Sequence, residues 1–459
     1  MRKRHYLILL VIAAFFVSCS SYYERNRKFQ TLVYQDKFAE ASDLLASSKK
    51  AKKKRNRVLY LLERGYVLYR QGKYQESSKL FIEADYLIED YKKQIGYEAL
   101  SLIVNPSVKP YKTEDFEQVM LNYINALNFL QLKDYEAALV ECRRINLKLI
   151  AMSERYKEKP KYKEDAFAHL LMGSIYETTG DLNNAFIAYR NAYEVYKRDY
   201  VPFFEMQIPS QLKKDVYSMA LANGFKSDSE FYGKEFNMTS KDVQTTQSEL
   251  IVFWNNGFSP YKEQFSIDFT ILRTNNFISF TNPTLGYNFS FPATSVSQQD
   301  ASNLSALRIV RIAFPRYVHR PLIYNRAEIS NSDKNYQFEK VQDIDAIAFK
   351  SLNDRFGREM ANALLRFAIK KASEMALRKE NKDAAAILSI ANAVSEQADT
   401  RNWQTLPNTV SYTRIPLNVG VNQCIFKAFK NGNQESFTDT IQLTAIKGRK
   451  YIRVVNTTK

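Results

Sequence analysis

The chain has 459 residues, which is long enough for two or three domains. Apolar residues make up 45 % and charged residues 25 % of the sequence, so the composition is that of a globular protein and excludes a wholly disordered chain. The formal charge of +17 at pH 7 indicates that a partner recognised by charge would be anionic.

The first residues have the pattern of a secretory signal peptide. Arg2, Lys3 and Arg4 form a basic start, and an apolar run of 12 residues follows from Tyr6 to Val17. A membrane-spanning helix needs about 20 apolar residues, so this run is too short to cross a bilayer. A basic start, a short apolar core and a small residue before a cleavage point are typical of a signal that is removed. We therefore predict a signal peptide over residues 1–18.

The predicted cleavage point precedes a cysteine. Phe16-Val17-Ser18-Cys19 resembles the lipobox of bacterial lipoproteins, although Phe16 stands where leucine is usual. The resemblance implies that diacylglycerol is joined to the thiol of Cys19, and the alternative is an ordinary cleaved signal with an incidental cysteine. Ser20 is not aspartate, which by the enterobacterial retention rule implies the outer membrane, with the body facing the periplasm.

The positive charge is densest from Lys49 to Arg57, where the sequence reads KKAKKKRNR. An exported protein rarely meets nucleic acid, so we expect no nucleic-acid partner. Anionic phospholipid headgroups or acidic cell-wall polymers fit the charge better. A solvated connection between two helices is the simpler interpretation of this run, and an electrostatic contact with the membrane surface is the alternative.

A repeated pattern occupies the N-terminal half. The segments Gly65–Ala84 and Gly173–Ala192 carry glycine, aromatic, small and large residues at matching offsets. A third copy starts at Ala126, and a weaker copy surrounds Phe38. These offsets predict helical hairpins in which small residues let the two helices cross closely. The pattern resembles the tetratricopeptide repeat, which implies an all-α solenoid over residues 19–236.

The copies are unevenly spaced along the chain. Their reference positions are 29, 65, 126 and 173, and only the first spacing approaches the roughly 34-residue period of this repeat. The wider gaps contain the segments Gly96–Glu114 and Tyr156–Tyr162, each with proline, which we interpret as inserted loops. The sequence therefore predicts an irregular superhelix.

First-helix side chains line the inner face of such a solenoid. Tyrosines among apolar neighbours suit an extended peptide or a partner helix, and packing of these tyrosines within the solenoid is the alternative. The lysine and asparagine residues of a groove that clamps a carboxylate are absent from this frame, so capture of a C-terminal peptide is not predicted. The candidate partner-binding residues are Leu62, Tyr66, Tyr69, Arg70, Tyr123, Leu127 and Glu177.

The C-terminal half follows a polar linker at Asn237–Gln247. Alternating apolar segments predict strands, and spacings of three and four predict a long amphipathic helix over about Ile344–Ala368. A second helix is predicted at Asp383–Gln397. The fold class is therefore α+β, with a mixed β/α domain over residues 249–400 and a small antiparallel β region over residues 401–459 after the solenoid.

Basic residues follow one face of the long predicted helix. A solvated helix face is the simpler interpretation of this stripe, and a binding face is the alternative. The residues of the stripe are Lys350, Arg355, Arg358, Arg366, Lys370 and Lys371.

Four further motifs accompany the lipobox and the repeats. They are IVFWNNGFSPYKEQFSI at 251–267, AFPRY at 313–317, the helix near 355–371 and NWQTLP at 402–407. Together they resemble a poorly characterised family of tetratricopeptide-repeat-containing bacterial lipoproteins, and the overlap spans most of the chain. The resemblance implies no established catalytic residues.

Catalytic and cofactor signals are sparse. Of the three histidines, His5 lies in the predicted signal, His169 lies in a repeat helix, and His319 lies in the C-terminal half. The sequence has no HExxH motif, no paired CxxC motif and neither common nucleotide-binding loop, so we predict no metal and no cofactor. Asp343 and Asp345 lie at the predicted start of the long helix, where capping is the preferred interpretation over general-acid chemistry.

Two classes of function stay open from the sequence. The favoured one is a non-enzymatic, lipid-anchored adaptor or scaffold of the bacterial cell envelope that binds protein partners through its helical repeats, with cell-wall polymer as a further partner. The alternative is an envelope enzyme, a glycan or peptide hydrolase, with its site in the C-terminal mixed domain. Converging carboxylates in a cleft would favour the enzyme, and a closed apolar core would favour the adaptor.

Overall fold

A computed structural model describes residues 22–95, 109–155, 164–243, 248–274, 276–292, 309–332, 334–380, 397–430 and 435–458. The predicted signal peptide and Cys19 lie outside these described residues. Across the described ranges, no helix is both long enough and apolar enough to cross a membrane. Helices form the N-terminal half, and sheets with one long helix form the C-terminal half, which confirms the predicted α+β class.

Helical hairpins follow one another through the N-terminal half. Each hairpin has a short turn, so its two helices run antiparallel. Their bounds are α1 (Tyr22–Arg25), α2 (Arg27–Tyr34), α3 (Phe38–Ser47), α4 (Arg57–Arg70), α5 (Tyr74–Ile95), α6 (Asp115–Gln131), α7 (Tyr135–Arg155), α8 (Ala166–Thr179) and α9 (Leu182–Val195).

The last repeat continues into a closing layer of helices. A π-helical turn at Tyr196–Tyr200 leads into the short α10 (Val201–Phe204). The hairpin of α11 (Ser210–Ala222) and α12 (Lys226–Phe236) then packs on α9.

Close helix crossing in the repeats is confirmed at two glycines. A Cβ atom on Gly65 would lie 2.9 Å from the ring of Phe81, and one on Gly173 would lie 2.5 Å from the ring of Tyr189. Both aromatic residues stand at the repeat offset where a large residue is predicted, and both are fully buried. The offsets therefore encode a tetratricopeptide-like packing of α4 on α5 and of α8 on α9.

The basic run is confirmed as a connection between two helices. It joins α3 to α4 through turns and a short 3-10 helix, Lys54–Asn56. Lys49 and Lys50 are exposed, as are Lys52 and Lys53. Most of the two predicted inserted loops lies outside the described residues, at 96–108 and 156–163.

Twelve described strands form three sheets. The first sheet has the order β12-β1-β9-β8, the second β4-β3-β2-β5, and the third β11-β10-β6-β7. The strands are β1 (Ser248–Asn256), β2 (Tyr261–Arg273), β3 (Phe277–Asn282), β4 (Tyr287–Pro292), β5 (Ile309–Val318), β6 (Arg326–Asn331), β7 (Lys334–Gln337), β8 (Glu339–Asp343), β9 (Thr409–Leu417), β10 (Gly420–Phe429), β11 (Glu435–Ala445) and β12 (Lys450–Thr457).

Strand pairing crosses the boundary predicted at residue 400. In the first sheet, β1 pairs in parallel with β12 and antiparallel with β9. In the third sheet, β10 pairs antiparallel with β6. Residues 401–459 therefore form no separate β region, because their strands complete sheets that begin before residue 400.

The long predicted helix is confirmed as α13 (Ile344–Glu380). Asp343 accepts a hydrogen bond at 2.9 Å from the backbone N–H of Ala346, so the capping interpretation of this aspartate is confirmed. Met360, Leu364 and Phe367 on α13 pack into the apolar core of the second sheet. The second predicted helix, 383–397, falls almost wholly outside the described residues.

One apolar core runs through both halves of the chain. It joins buried repeat residues such as Leu62 and Leu127 to Phe253 and Tyr412 of the first sheet and to Trp403. Across the described residues, Cys142 and Cys424 are both buried free thiols. The solenoid and the first sheet therefore share one apolar core where they meet.

We predict that Gly173→Ala destabilises the protein by about 1–3 kcal/mol, because the added methyl group overpacks the contact with Tyr189. Gly357→Ala is the matched control, since Gly357 lies in α13 with open space around its Cα. Alanine there should stabilise the helix by about 0.5–1 kcal/mol. Denaturant unfolding of both variants measures the difference, and equal stabilities would contradict the packing described.

Candidate functional site: the inner face of the repeats and an aromatic pocket

The inner face of the solenoid is covered by the C-terminal half of the same chain. The candidate residues are therefore interior side chains and do not line an open groove. Relative exposure is 0 % for Leu62 and Leu127, 1 % for Tyr66 and Tyr123, 5 % for Tyr69 and 4 % for Glu177. The side chain of Arg70 is 9 % exposed and lies 3.6 Å from Asp36.

Several candidate side chains contact the first sheet directly. Tyr123 donates a hydrogen bond at 2.8 Å to Asn255 on β1, and Asn456 on β12 lies 3.4 Å from the hydroxyl of Tyr69. Glu177 accepts a hydrogen bond from Arg414 on β9. That the seven residues bind a separate partner stays a prediction. In this structure Tyr69, Tyr123 and Glu177 contact the protein's own strands, and Arg70 contacts Asp36 and Phe38 of the first hairpin.

The NWQTLP motif fills the first part of the inner face. The backbone N–H of Trp403 donates at 2.6 Å to Glu117 on α6, and that of Gln404 donates at 3.0 Å to Glu63 on α4. The hydroxyl of Thr405 donates at 2.6 Å to the second oxygen of Glu63. The indole of Trp403 is fully buried, with its ring centroid 5.7 Å from that of Phe81. This segment therefore occupies the place where an extended peptide would bind an open solenoid.

A second buried cluster joins α6 to the second sheet and α13. Glu114, which caps α6, forms ion pairs with Lys262 on β2 and Arg355 on α13. All three side chains are at most 17 % exposed. Within the basic stripe of α13, Arg355 is thus not part of a solvated face, because its guanidinium is buried against a carboxylate.

A third buried cluster joins the last repeats to the first sheet. Arg414 on β9 donates at 2.8 Å to Asp215 on α11 and also pairs with Glu177 on α8. Lys450 on β12 pairs with Glu249 on β1 at 2.7 Å, and Arg414 lies 3.5 Å from the same Glu249. Three carboxylates therefore share two cations in this cluster.

Burial shifts the pKa values of the carboxyls in these clusters. It raises the pKa of Glu63 and that of Glu117 to about 7, and the pKa of Asp215 to about 6. Burial also acts against ionisation of Glu114, but the charges of Arg355 and of the paired lysine prevail and lower its pKa to about 2. Cations thus face Glu114 closely, whereas Glu63 and Glu117 depend mainly on backbone and hydroxyl donors.

We predict that Arg414→Ala destabilises the protein by roughly 3–5 kcal/mol, because it leaves Asp215 buried without this cation and leaves Glu177 with the more distant Lys450. Arg311→Ala is the matched control, since the pair of Arg311 with Asp268 is 72 % and 52 % exposed. Loss of that exposed pair should cost at most about 1 kcal/mol. Thermal and denaturant unfolding compare the two variants, and equal losses would refute the role given to the buried cluster.

We predict that the buried glutamates make stability depend on pH. A folded pKa of about 7 against 4.5 for the free side chain means that the folded state binds more protons between these values. The free energy of unfolding should therefore decrease as pH rises through this window, by up to about 1.4 kcal/mol per pH unit for each group. Replacing Glu63 and Glu117 together by Gln should remove their share of this slope and leave the share of Asp215, whose pKa is about 6.

The measured quantity is the change in the free energy of unfolding per pH unit, and not the stability at one pH. Denaturant unfolding at a series of pH values gives it for the parent chain and the variants. Glu76→Gln with Glu136→Gln is the control pair, since both side chains are exposed on repeat helices. An unchanged slope in the Glu63 and Glu117 variant would show that these carboxyls do not take up protons on folding.

An open cavity lies where the last repeat meets the second sheet and α13. It has a volume of about 550 Å³, and seven of its fourteen lining residues are aromatic. Its charged lining residues are Glu205, Arg316 and Lys350, of which Glu205 is the acid. We call this cavity the aromatic pocket. Its lining is Phe203, Phe204, Glu205, Phe265, Tyr287, Pro315, Arg316, Tyr317, Ala346, Phe349, Lys350, Leu352, Asn353 and Phe356.

Of the histidines and acids that the sequence offers for catalysis, His319 and Asp345 meet, whereas His169 lies apart in the repeat helix α8. His319 stacks on Phe349 with ring centroids 4.0 Å apart, and its Nδ1 lies 2.7 Å from Asp345. His169 is 8 % exposed within α8, where burial lowers its pKa. The described residues contain no group of histidine, cysteine and acidic side chains that could hold a metal ion.

The residues that join the two halves were missed from the sequence. Glu63, Glu117 and Asp215 lie on helix faces that are otherwise apolar, and this is the signal that could have identified them. A carboxylate on a buried face must find donors from elsewhere in the chain. The sequence also placed NWQTLP only as a family motif, although its apolar Trp403 and Leu406 indicate burial.

Comparison with known proteins gives no matching family model and no matching curated protein. Several solved structures resemble part of the chain, and three of them are described here by their identity, coverage and TM-score. MamA 41-end from Desulfovibrio magneticus RS-1 is 16 % identical, with 46 % of this chain and 89 % of that chain covered and a TM-score of 0.29. The MamA RS-1 ArsTM double mutant is 16 % identical, with 46 % of this chain and 88 % of that chain covered and a TM-score of 0.30. BtubC (BKLC) from P. vanneervenii is 12 % identical, with 47 % of this chain and 74 % of that chain covered and a TM-score of 0.29.

Proposed function

We propose that the protein is a non-enzymatic scaffold of the bacterial cell envelope, anchored by a lipid on Cys19, which binds a protein partner through the aromatic pocket. The observation that carries this proposal is the closed inner face of the repeats. Because the C-terminal half fills that face, the repeats serve as a frame that holds the sheets and α13 in place. A scaffold of this kind organises a complex by holding its partner at the membrane.

The chemistry of the aromatic pocket supports binding in preference to catalysis. Its walls combine stacked rings, such as Phe265 and Phe356 at 6.1 Å, with the guanidinium of Arg316 above Phe265. Aromatic pockets with a polar rim are the usual receptors for the apolar anchor residues of a partner. Of the residues that line the pocket, only Glu205 is a carboxylate, so the paired acids of a glycan hydrolase do not converge there.

The partner that we propose is a protein segment with an apolar or aromatic anchor residue beside an acidic one. The anchor would enter between Phe203 on α10 and the rings of Phe349 and Phe356 on α13. The acidic residue would meet Arg316 and Lys350 at the rim. Cell-wall polymer stays a further candidate partner for the basic surface elsewhere on the protein.

We predict that a photo-crosslinking residue at position 316 captures a protein partner in intact cells. Asn353→Trp should then strongly reduce the adduct, because Asn353 is exposed at the rim and a tryptophan there would fill the pocket without altering the core. Gln75→Trp, on an exposed position of α5, is the control and should leave the adduct unchanged. The readout is the amount and mass of each adduct.

Two results would overturn the assignment of the pocket. The first is an adduct that persists at full strength in the Asn353→Trp chain, which would place the contact outside the pocket. The second is equal labelling from position 316 and from an exposed position elsewhere, such as Tyr86. Equal labelling would mean that position 316 captures no specific partner. Release of the protein from membranes by Cys19→Ser separately tests the lipid anchor.

A further inference from the structure

The first described residues of the chain are fixed at the junction of the two halves. The backbone N–H of Tyr22 donates at 2.8 Å to Thr400, and the ring of Tyr23 stacks on Tyr261 with centroids 4.2 Å apart. The guanidinium of Arg320 also lies over the ring of Tyr23, 5.5 Å from its centroid. Cys19 precedes Tyr22 by three residues, so their Cα atoms are at most about 11 Å apart.

The basic connection lies at the same end of the first hairpin as Tyr22. The α2–α3 hairpin turns at Gln35–Lys37, so the end of α3 at Ser47 returns to the level of Arg27 at the start of α2. The connection that follows Ser47 therefore begins beside the first described residues.

A second set of contacts fixes this connection near Tyr22. Arg401, the neighbour of Thr400, donates at 2.6 Å to the carbonyl of Arg55 and at 3.1 Å to that of Lys109. Burial lowers the pKa of this guanidinium, but the hydrogen bond to Asp399 and nearby phenols, including that of Tyr22, raise it above its usual value. The guanidinium therefore stays charged and bridges the start of the chain to the connection.

The lysines of the connection form no ion pair within the part of the chain that the structure describes. Lys49, Lys50, Lys52, Lys53 and Lys54 are all exposed, and none of them forms an ion pair with any residue in the described ranges. Arg27 and Lys28 at the start of α2 are also exposed. We call these seven residues the basic face.

Acidic side chains of the first hairpin lie away from the basic face. Asp36 is in the turn at the opposite end of the hairpin, and Glu40 is in the first turn of α3 at that same end. Asp43 lies midway along α3. The field of the seven cations is therefore not cancelled locally by these acids.

We propose that the basic face lies against the anionic surface of the lipid bilayer that holds the anchor. This inference rests on the proposed anchoring at Cys19. The reach of about 11 Å from Cys19 to Tyr22 is close to the Debye length of about 8–10 Å at physiological salt, so Tyr22 stays within the range of the surface potential. The connection that carries the lysines begins beside it. Each lysine near an anionic surface strengthens the contact by about fivefold. The basic face thus orients the body, while the lipid retains it.

The full-length protein, reconstituted in vesicles, tests this orientation. One set of vesicles contains phosphatidylcholine alone, and the other also contains phosphatidylglycerol. A water-soluble amine reagent then labels lysines, and mass spectrometry gives the labelling rate of each one. On the anionic vesicles, Lys49 to Lys54 should be labelled at least about fivefold more slowly than on neutral vesicles, and high salt should remove the difference.

Exposed lysines on other helices are the internal control. Lys214, Lys226, Lys234 and Lys241 lie on or after α11 and α12 and should be labelled equally on both kinds of vesicle. Equal labelling of Lys49 to Lys54 on both kinds would overturn the proposal. Protection by added cell-wall polymer, without protection by anionic vesicles, would also overturn it and assign the face to that polymer.

A matched pair of charge variants separates the face from overall charge. Replacement of Lys49, Lys50, Lys52 and Lys53 by Gln should abolish the protection of Lys54 on anionic vesicles. Replacement of the four control lysines by Gln changes the net charge equally and should leave Lys54 protected. Retained protection in the first variant would contradict the inference.

Failure of the anchor and failure of the basic face give different results. Flotation of the protein with neutral vesicles at high salt reports the anchor alone. A protein that does not float has no anchor, which overturns both proposals. A protein that floats but shows equal lysine labelling keeps the anchor and refutes only the orientation by the basic face.

Discussion

Buried carboxylates on the inner face of the repeats hold this structure together. Glu63 and Glu117 each accept hydrogen bonds from the backbone of the NWQTLP segment, and Glu177 pairs with Arg414. A carboxylate without such donors would be very costly in an apolar interior. The repeats can therefore bury these acids only when the C-terminal half is in place, so the two halves depend on each other.

This mutual dependence changes what the helical repeats do. In an open solenoid the inner face is free for an extended peptide, whereas here the segment around Trp403 occupies it permanently. Phe81, which fills the close crossing at Gly65, also contacts the indole of Trp403. The packing inside one repeat is thus continuous with the packing between the halves. Among the described residues, the aromatic pocket and the charged exterior are the surfaces that we propose for partners.

The arrangement also relates the proposed lipid anchor to the junction of the two halves. Tyr22 and Thr400 meet near the start of the described chain, and Arg401 connects this point to the carbonyl of Arg55. The proposed anchor, the basic face and the junction between the halves therefore lie close together. The aromatic pocket is built by α10, the second sheet and α13, so the proposed lipid and protein contacts use separate elements.

The local features of this protein follow from residues that are near one another in sequence. They include the offsets that place Gly173 against Tyr189, the apolar spacing of α13 and the cap at Asp343. Only the tertiary structure decided that β1 pairs with β12, that Arg355 is buried, and that the inner face is occupied from within. The physical reason is that strand pairing and charge pairing join residues distant in sequence. A single sequence shows that a buried acid needs donors, but not which distant segment supplies them.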